Sequence, residues 1–133
     1  MHLCGATVSW QTTRQKTTAQ STVEAEYMAS AEAVKEAIWW RAFMRGLGHR
    51  RALRSATVLY SDNQGSIALS KNPDSHRRTK HIDVKYHLLR EHVQKRTVAL
   101  QFIGSSEMAA DVLTKGLTPV KHQKAVGLLG VGA

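Results

Sequence analysis

The stretch Ala56-Thr57-Val58-Leu59-Tyr60-Ser61-Asp62-Asn63-Gln64 runs from an apolar, β-prone segment into a carboxylate and then at once into a helix-like segment. An acid at the carboxyl end of a buried strand, exposed where strand turns to helix, is where open α/β sheets place their chemistry. Two further acids, Glu26 and Asp111, stand beside apolar stripes of other expected helices. Three carboxylates carried to one place repel one another unless they are protonated or share a divalent cation. The pattern points to a metal-dependent site acting on phosphates.

Outward from that turn, hydrophobic period and end signals set the other elements. Ala6 to Trp10 alternate and read as a strand, hairpin-paired with a Thr-rich strand from Lys16 to Ala19. Ser21-Thr22-Val23-Glu24 is a capping box opening a helix to about Arg45, with Val23, Tyr27, Ala31, Val34 and Ile38 as its apolar stripe. Gly46 and Gly48 stop it. After the Ala56–Tyr60 strand come a short helix from about Asn63 to Ser70, a break at Asn72-Pro73-Asp74, and a basic loop from Ser75 to Lys80. A long helix from about Thr79 to Lys95 carries Ile82, Tyr86, Leu89 and Val93 toward the core. Val98, Leu100 and Phe102 alternate as the last strand. Ser105 or Ser106 caps a helix through Lys115, and Thr118-Pro119 opens a closing helix to Leu129. The order β-β-α-β-α-α-β-α-α implies an α/β fold, a mixed sheet flanked by helices, in a single domain over residues 1–133.

Each acid has a second role open to it. Asp62 sits where an acid commonly caps a helix. Glu26 shares its sector with Ala33, Ala37 and Met44 and so borders packed surface, whereas Glu24 shares one with Lys35 and has the capping role. Spacing alone favours Glu26 over Glu24 only slightly. Asp111 has apolar neighbours on both sides, Ala109-Ala110 and Val112-Leu113, but an acid in the first half of a helix also suits the macrodipole. Asp83 is expected to pair with His87, four residues on. His76, His81, His87 and His92 are spaced five, six and five, which does not put neighbouring imidazoles on one helix face, so a structural zinc site is not expected.

The chain of 133 residues has a formal net charge of +9, and so basic a small protein seeks a polyanion, nucleic acid before an acidic membrane surface. Lys71 to Arg96 holds eight Lys and Arg against Asp74, Asp83 and Glu91. That segment is expected to contact phosphates, through Arg77, Arg78, Lys80, His81 and Lys85 above all; an ordinary solvated basic face is the alternative. Trp39 and Trp40 cannot both face one core, and either packing or base stacking would use the other. Cys4 is the sole cysteine, the N-terminus lacks the pattern of a signal peptide, and no apolar run is long enough to span a bilayer. A cytoplasmic or nuclear protein without a membrane partner is expected.

Taken in order, the motifs resemble one family. Val8-Ser9-Trp10-Gln11, Ser21-Thr22-Val23-Glu24-Ala25-Glu26-Tyr27-Met28-Ala29 and Lys35-Glu36-Ala37-Ile38-Trp39 look like the start of the ribonuclease H domain of copia-type LTR retrotransposon Pol polyproteins. Tyr60-Ser61-Asp62-Asn63-Gln64, Lys71-Asn72-Pro73, Arg78-Thr79-Lys80-His81-Ile82-Asp83-Val84-Lys85-Tyr86-His87 and Ala110-Asp111-Val112-Leu113-Thr114-Lys115 continue it. The resemblance implies an RNase H-like fold with a five-stranded mixed sheet. It implies hydrolysis of the RNA strand of RNA–DNA hybrids with two Mg²⁺ (or Mn²⁺) ions held by four acids, beside the reverse transcriptase portion of a polyprotein. Carried across by motif, the catalytic and metal-binding residues are Glu26, Asp62 and Asp111, which chooses Glu26 over Glu24.

One departure bears on activity. In the family a central strand bearing the first catalytic Asp precedes the hairpin, and no acid precedes Glu24 in this sequence. The expectation is an N-terminally incomplete domain with little or no nuclease activity, or a non-catalytic nucleic-acid-binding remnant. A further expectation is that the Asp62 strand pairs directly with residues Leu3 to Trp10.

Overall fold

Helix α1 (Thr22–Gly46) starts where its cap dictates: the Ser21 hydroxyl accepts the Glu24 amide at 3.2 Å, one side of the expected capping box. The computed structural model describes residues 1–3, 5–13, 15, 19, 21–71 and 80–130, and the side chains of 80–84 lie outside that description. Two compact units result, Ala19–Phe102 and Met1–Thr18 with Ile103–Ala133. Among the described residues the fold is mixed α/β, with four α-helices and two small sheets.

In the larger unit, β3 (Thr57–Ser61) and β4 (Val98–Phe102) pair in parallel, Leu59 opposite Leu100 and Ser61 opposite Phe102. Parallel strands need a crossover. It contains α2 (Gln64–Lys71) and α3 (Lys80–Gln94). Helix α1 packs against α2, α3 and β3. Tyr27, Met28, Ala31, Val34 and Ala37 supply its buried face, against Leu59, Ile67, Leu89, Val98 and Leu100. Val23 and Ile38, expected in that stripe, are only half-buried, and Met28 and Ala37 take the deeper places. At 3.6 residues per turn, a 25-residue helix rotates its apolar stripe gradually around its axis.

Two contacts brace this unit. Tyr27 stacks on Tyr86 with ring centroids 4.1 Å apart, and its hydroxyl donates to the Tyr86 carbonyl at 3.2 Å, joining α1 to α3. The Arg41 guanidinium donates to the Leu53 carbonyl at 2.8 Å, the Ser55 carbonyl at 2.9 Å and the Thr57 hydroxyl at 3.1 Å. It thereby ties the segment after the 3-10 helix Arg50–Leu53 to α1 and sets where β3 begins.

In the smaller unit, β1 (His2–Leu3) and β2 (Ala6–Thr7) form an antiparallel hairpin, Leu3 opposite Ala6. Gly5 at φ 83° supplies the left-handed residue so tight a loop needs. The Thr7 hydroxyl donates to the Leu129 carbonyl at the end of α4 (Pro119–Leu128), whose N-cap is Thr118 and whose first residue is the expected proline.

The structure corrects several expectations. Strand β2 pairs with His2–Leu3 through this local turn; residues 16–18 lie outside the described residues and Ala19 is in no strand. Strands β2 and β3 belong to separate two-stranded sheets, so the Asp62 strand takes β4 as its partner rather than residues Leu3 to Trp10. The helix expected from Ser105 to Lys115 is two 3-10 turns, Ser105–Glu107 and Ala109–Leu113. Met108 between them is extended (φ −77°, ψ 95°), and pieces this short cannot repay α-helix nucleation.

Candidate functional site

The turn after β3 is built from hydroxyls and one amide. The Ser61 hydroxyl accepts the Asn63 amide and lies 3.2 Å from the Ser66 hydroxyl. The Asn63 side-chain oxygen accepts the Ser66 amide at 3.0 Å, so Asn63 caps α2. Asp62 does not fill the capping position open to it in the sequence. It stands half-buried at the strand end, one residue ahead of the cap.

Close approach brings this turn to α1. A Cβ on Gly65 would lie 3.0 Å from Val23 Cγ2 and 3.1 Å from Asn63 Oδ1. The first turn of α2 therefore rests on the first turn of α1. Glu26 is three residues past Val23, on the same side of α1 by helical spacing, and is half-buried. The structure thus brings the segments carrying Glu26 and Asp62 into one neighbourhood of the larger unit. Glu24, grouped by spacing with Lys35, is the more buried of the two glutamates at 5% exposure. The capping interaction holds it in the first turn, which packing covers.

Asp111 belongs to the other unit, in the 3-10 turn Ala109–Leu113. Its side chain is 14% exposed, and the Lys115 ammonium lies 2.8 Å from Oδ1. Among the described residues, no three of His, Cys, Asp and Glu form a group that could hold a metal ion.

The expected phosphate-contacting residues divide. Arg77 and Arg78 lie outside the described residues, as do the side chains of Lys80 and His81 and the Asp83 partner expected for His87. Lys85 is described: its ammonium sits 3.0 Å from Glu32 Oε1, an ion pair joining α3 to α1, and its side chain is 27% exposed. The Lys35 hydrogen bond, then that of Lys85, hold the Glu32 carboxyl below the usual carboxylate range. No spacing rule marked this pair, because it crosses between helices.

Three plant sequences align with nearly all of this chain. The retrovirus-related Pol polyprotein from transposon TNT 1-94 of Nicotiana tabacum is 43% identical over 128 residues, 96% of the chain. Its relatives are Pol polyproteins. Those from transposons RE1 and RE2 of Arabidopsis thaliana are each 35% identical over 124 residues, 93% of the chain. The chain spans 8–9% of the length of these Pol polyproteins and corresponds to one segment of them. No protein-family model matches it, and no solved structure matches it at the significance at which the Pol polyproteins do. Among the described residues no helix is long and apolar enough to cross a membrane.

Proposed function

We infer that this chain acts in a retrotransposon Pol polyprotein as its RNase H-like portion, hydrolysing the RNA strand of RNA–DNA hybrids. The observation that carries the reading is the strand-end carboxylate. Asp62 is left out of the cap by Asn63, and its turn is brought to the helix bearing Glu26 by the Gly65–Val23 approach. The similarity to Pol polyproteins along 93–96% of the chain gives that carboxylate a context in reverse transcription.

The donor set suits magnesium. Mg²⁺ binds through one or two carboxylates, keeps several waters and takes its other ligands from substrate phosphates. Glu26 and Asp62 would hold it. When bound, such a metal supplies charge stabilisation and an activated water for phosphodiester hydrolysis. The chain's own groups do the rest: the hydroxyls of Ser61 and Ser66 with Asn63 orient the Asp62 turn, and Lys85 would meet the hybrid backbone.

The test is purified chain with Mg²⁺ and a labelled hybrid. Slow cleavage of the RNA strand that disappears in Asp62→Asn, with duplex DNA left intact, supports the reading. The second reading, a non-catalytic nucleic-acid binder, is favoured by the Asp111–Lys115 ion pair. It stands if neither cleavage nor saturable Mg²⁺ or Mn²⁺ binding is seen.

A further inference from the structure

The last two turns of α1 and its C-cap residue keep an apolar stripe open to solvent. Trp39 is 56% exposed, Phe43 44% and Leu47 57%, and their spacing of four places them on one side of the helix. Trp39 and Phe43 stack with planes 5° apart and centroids at 5.4 Å. Trp40 meets both edge-on, and its indole donates to Glu36 Oε1 at 3.0 Å, which fixes the cluster from below. A solvent-facing aromatic stack is costly in water unless something uses it.

The charge around it indicates what. Between Glu36 and Asp62 the sequence has Arg41, Arg45, Arg50, Arg51 and Arg54 and no acid. Arg41 is consumed in tying residues 53–57 to α1, which also holds the arginine-bearing turn at this end of the helix. Arg45, Arg50, Arg51 and Arg54 are exposed and make no ion pair among the described residues. Aromatic faces beside uncompensated guanidinium groups suit a polyanion that also offers flat rings. In a duplex those rings are hidden by stacking; in a single strand they are open.

We propose that the Trp39–Phe43 stack and the arginines of the turn after it form a platform for single-stranded nucleic acid. It goes beyond the hydrolytic reading and does not depend on it. Trp39 lies roughly 20 Å along α1 from Glu26, at about 1.5 Å per residue, so the platform is a separate surface. A strand displaced or not yet paired during reverse transcription is a ligand of this chemistry.

The experiment is fluorescence anisotropy of the whole chain with labelled oligothymidylate and oligouridylate of roughly 12 nucleotides, in EDTA so that no metal site contributes. Trp39→Ala is expected to weaken binding at least about fivefold while Trp39→Phe retains most of it. Arg50→Ser with Arg51→Ser is expected to weaken binding and to flatten the salt dependence by about 1.4 in log–log slope. Tryptophan emission of the unmodified chain is expected to be quenched by unlabelled oligothymidylate, a readout needing no variant. The proposal is overturned by unquenched emission, by unchanged affinity in a Trp39→Ala protein of native circular dichroism, by preference for duplex, or by sedimentation showing that the stripe is buried in a dimer.

Discussion

Tyr27 shows how one side chain sets a working limit. It is 1% exposed, stacked on Tyr86 and hydrogen-bonded to a backbone carbonyl. Burial above all pushes its phenol well above the ordinary value of 10.0, with Arg90 pulling the other way. Because the folded state holds this proton more tightly than the unfolded chain, its stabilisation is complete below about pH 10 and falls as pH rises beyond that. Denaturant titrations between pH 8 and 11 should show stability declining above pH 10, and Tyr27→Phe should remove that part of the decline. The same substitution should cost about 1 kcal/mol at neutral pH for the lost hydrogen bond. Leu89, fully buried at the centre of α3, should cost about 2–5 kcal/mol on truncation to Ala.

At the scale of elements, two junctions carry the geometry of the candidate site. Gly65 is where α2 touches α1, and its neighbour Val23 is β-branched and stiff. Gly65→Val should destabilise by about 1–3 kcal/mol through overpacking, and Val23→Ala should recover part of it in the double variant. If the Asp62 turn is positioned by this contact, metal affinity should fall in Gly65→Val and return with the second substitution. The other junction is Glu32–Lys85. Glu32 is about half exposed, so a double-mutant cycle should return less than about 1 kcal/mol. Its lowered pKa means the contribution is present above the ordinary glutamate range and is lost as pH falls through the folded value. Thermal melts across pH 3 to 5 in Glu32→Gln against the unmodified chain would read it.

For the molecule as a whole, charge dominates. With a net charge of +9 on 133 residues, the proposed nucleic-acid binding should be a strong function of salt. A single strand contacted at roughly four phosphates should show a log–log salt slope of about −3, whatever its sequence. A slope near zero would mean that the basic residues serve solubility alone.

Much of this was legible from the linear chain. The Ser21 cap, both long helices, Val98–Phe102 as a strand and Pro119 at a helix start follow from local backbone chemistry, and local chemistry is written in adjacent residues. The strand-end place of Asp62 was equally plain. What stayed hidden depends on partners distant in sequence. Asn63, not Asp62, caps α2 because the Ser61 and Ser66 hydroxyls fix that turn from two elements. Glu24 is buried although its helical sector reads as solvent, because burial follows what packs alongside. β2 closes on His2–Leu3 because a local glycine turn outcompetes a longer loop, and the Ser105–Lys115 stretch is too interrupted to repay an α-helix. Residue order determined which segments form and which acids stand as candidates; only the tertiary contacts, Val23 under Gly65 and Lys85 against Glu32, decided which segments meet.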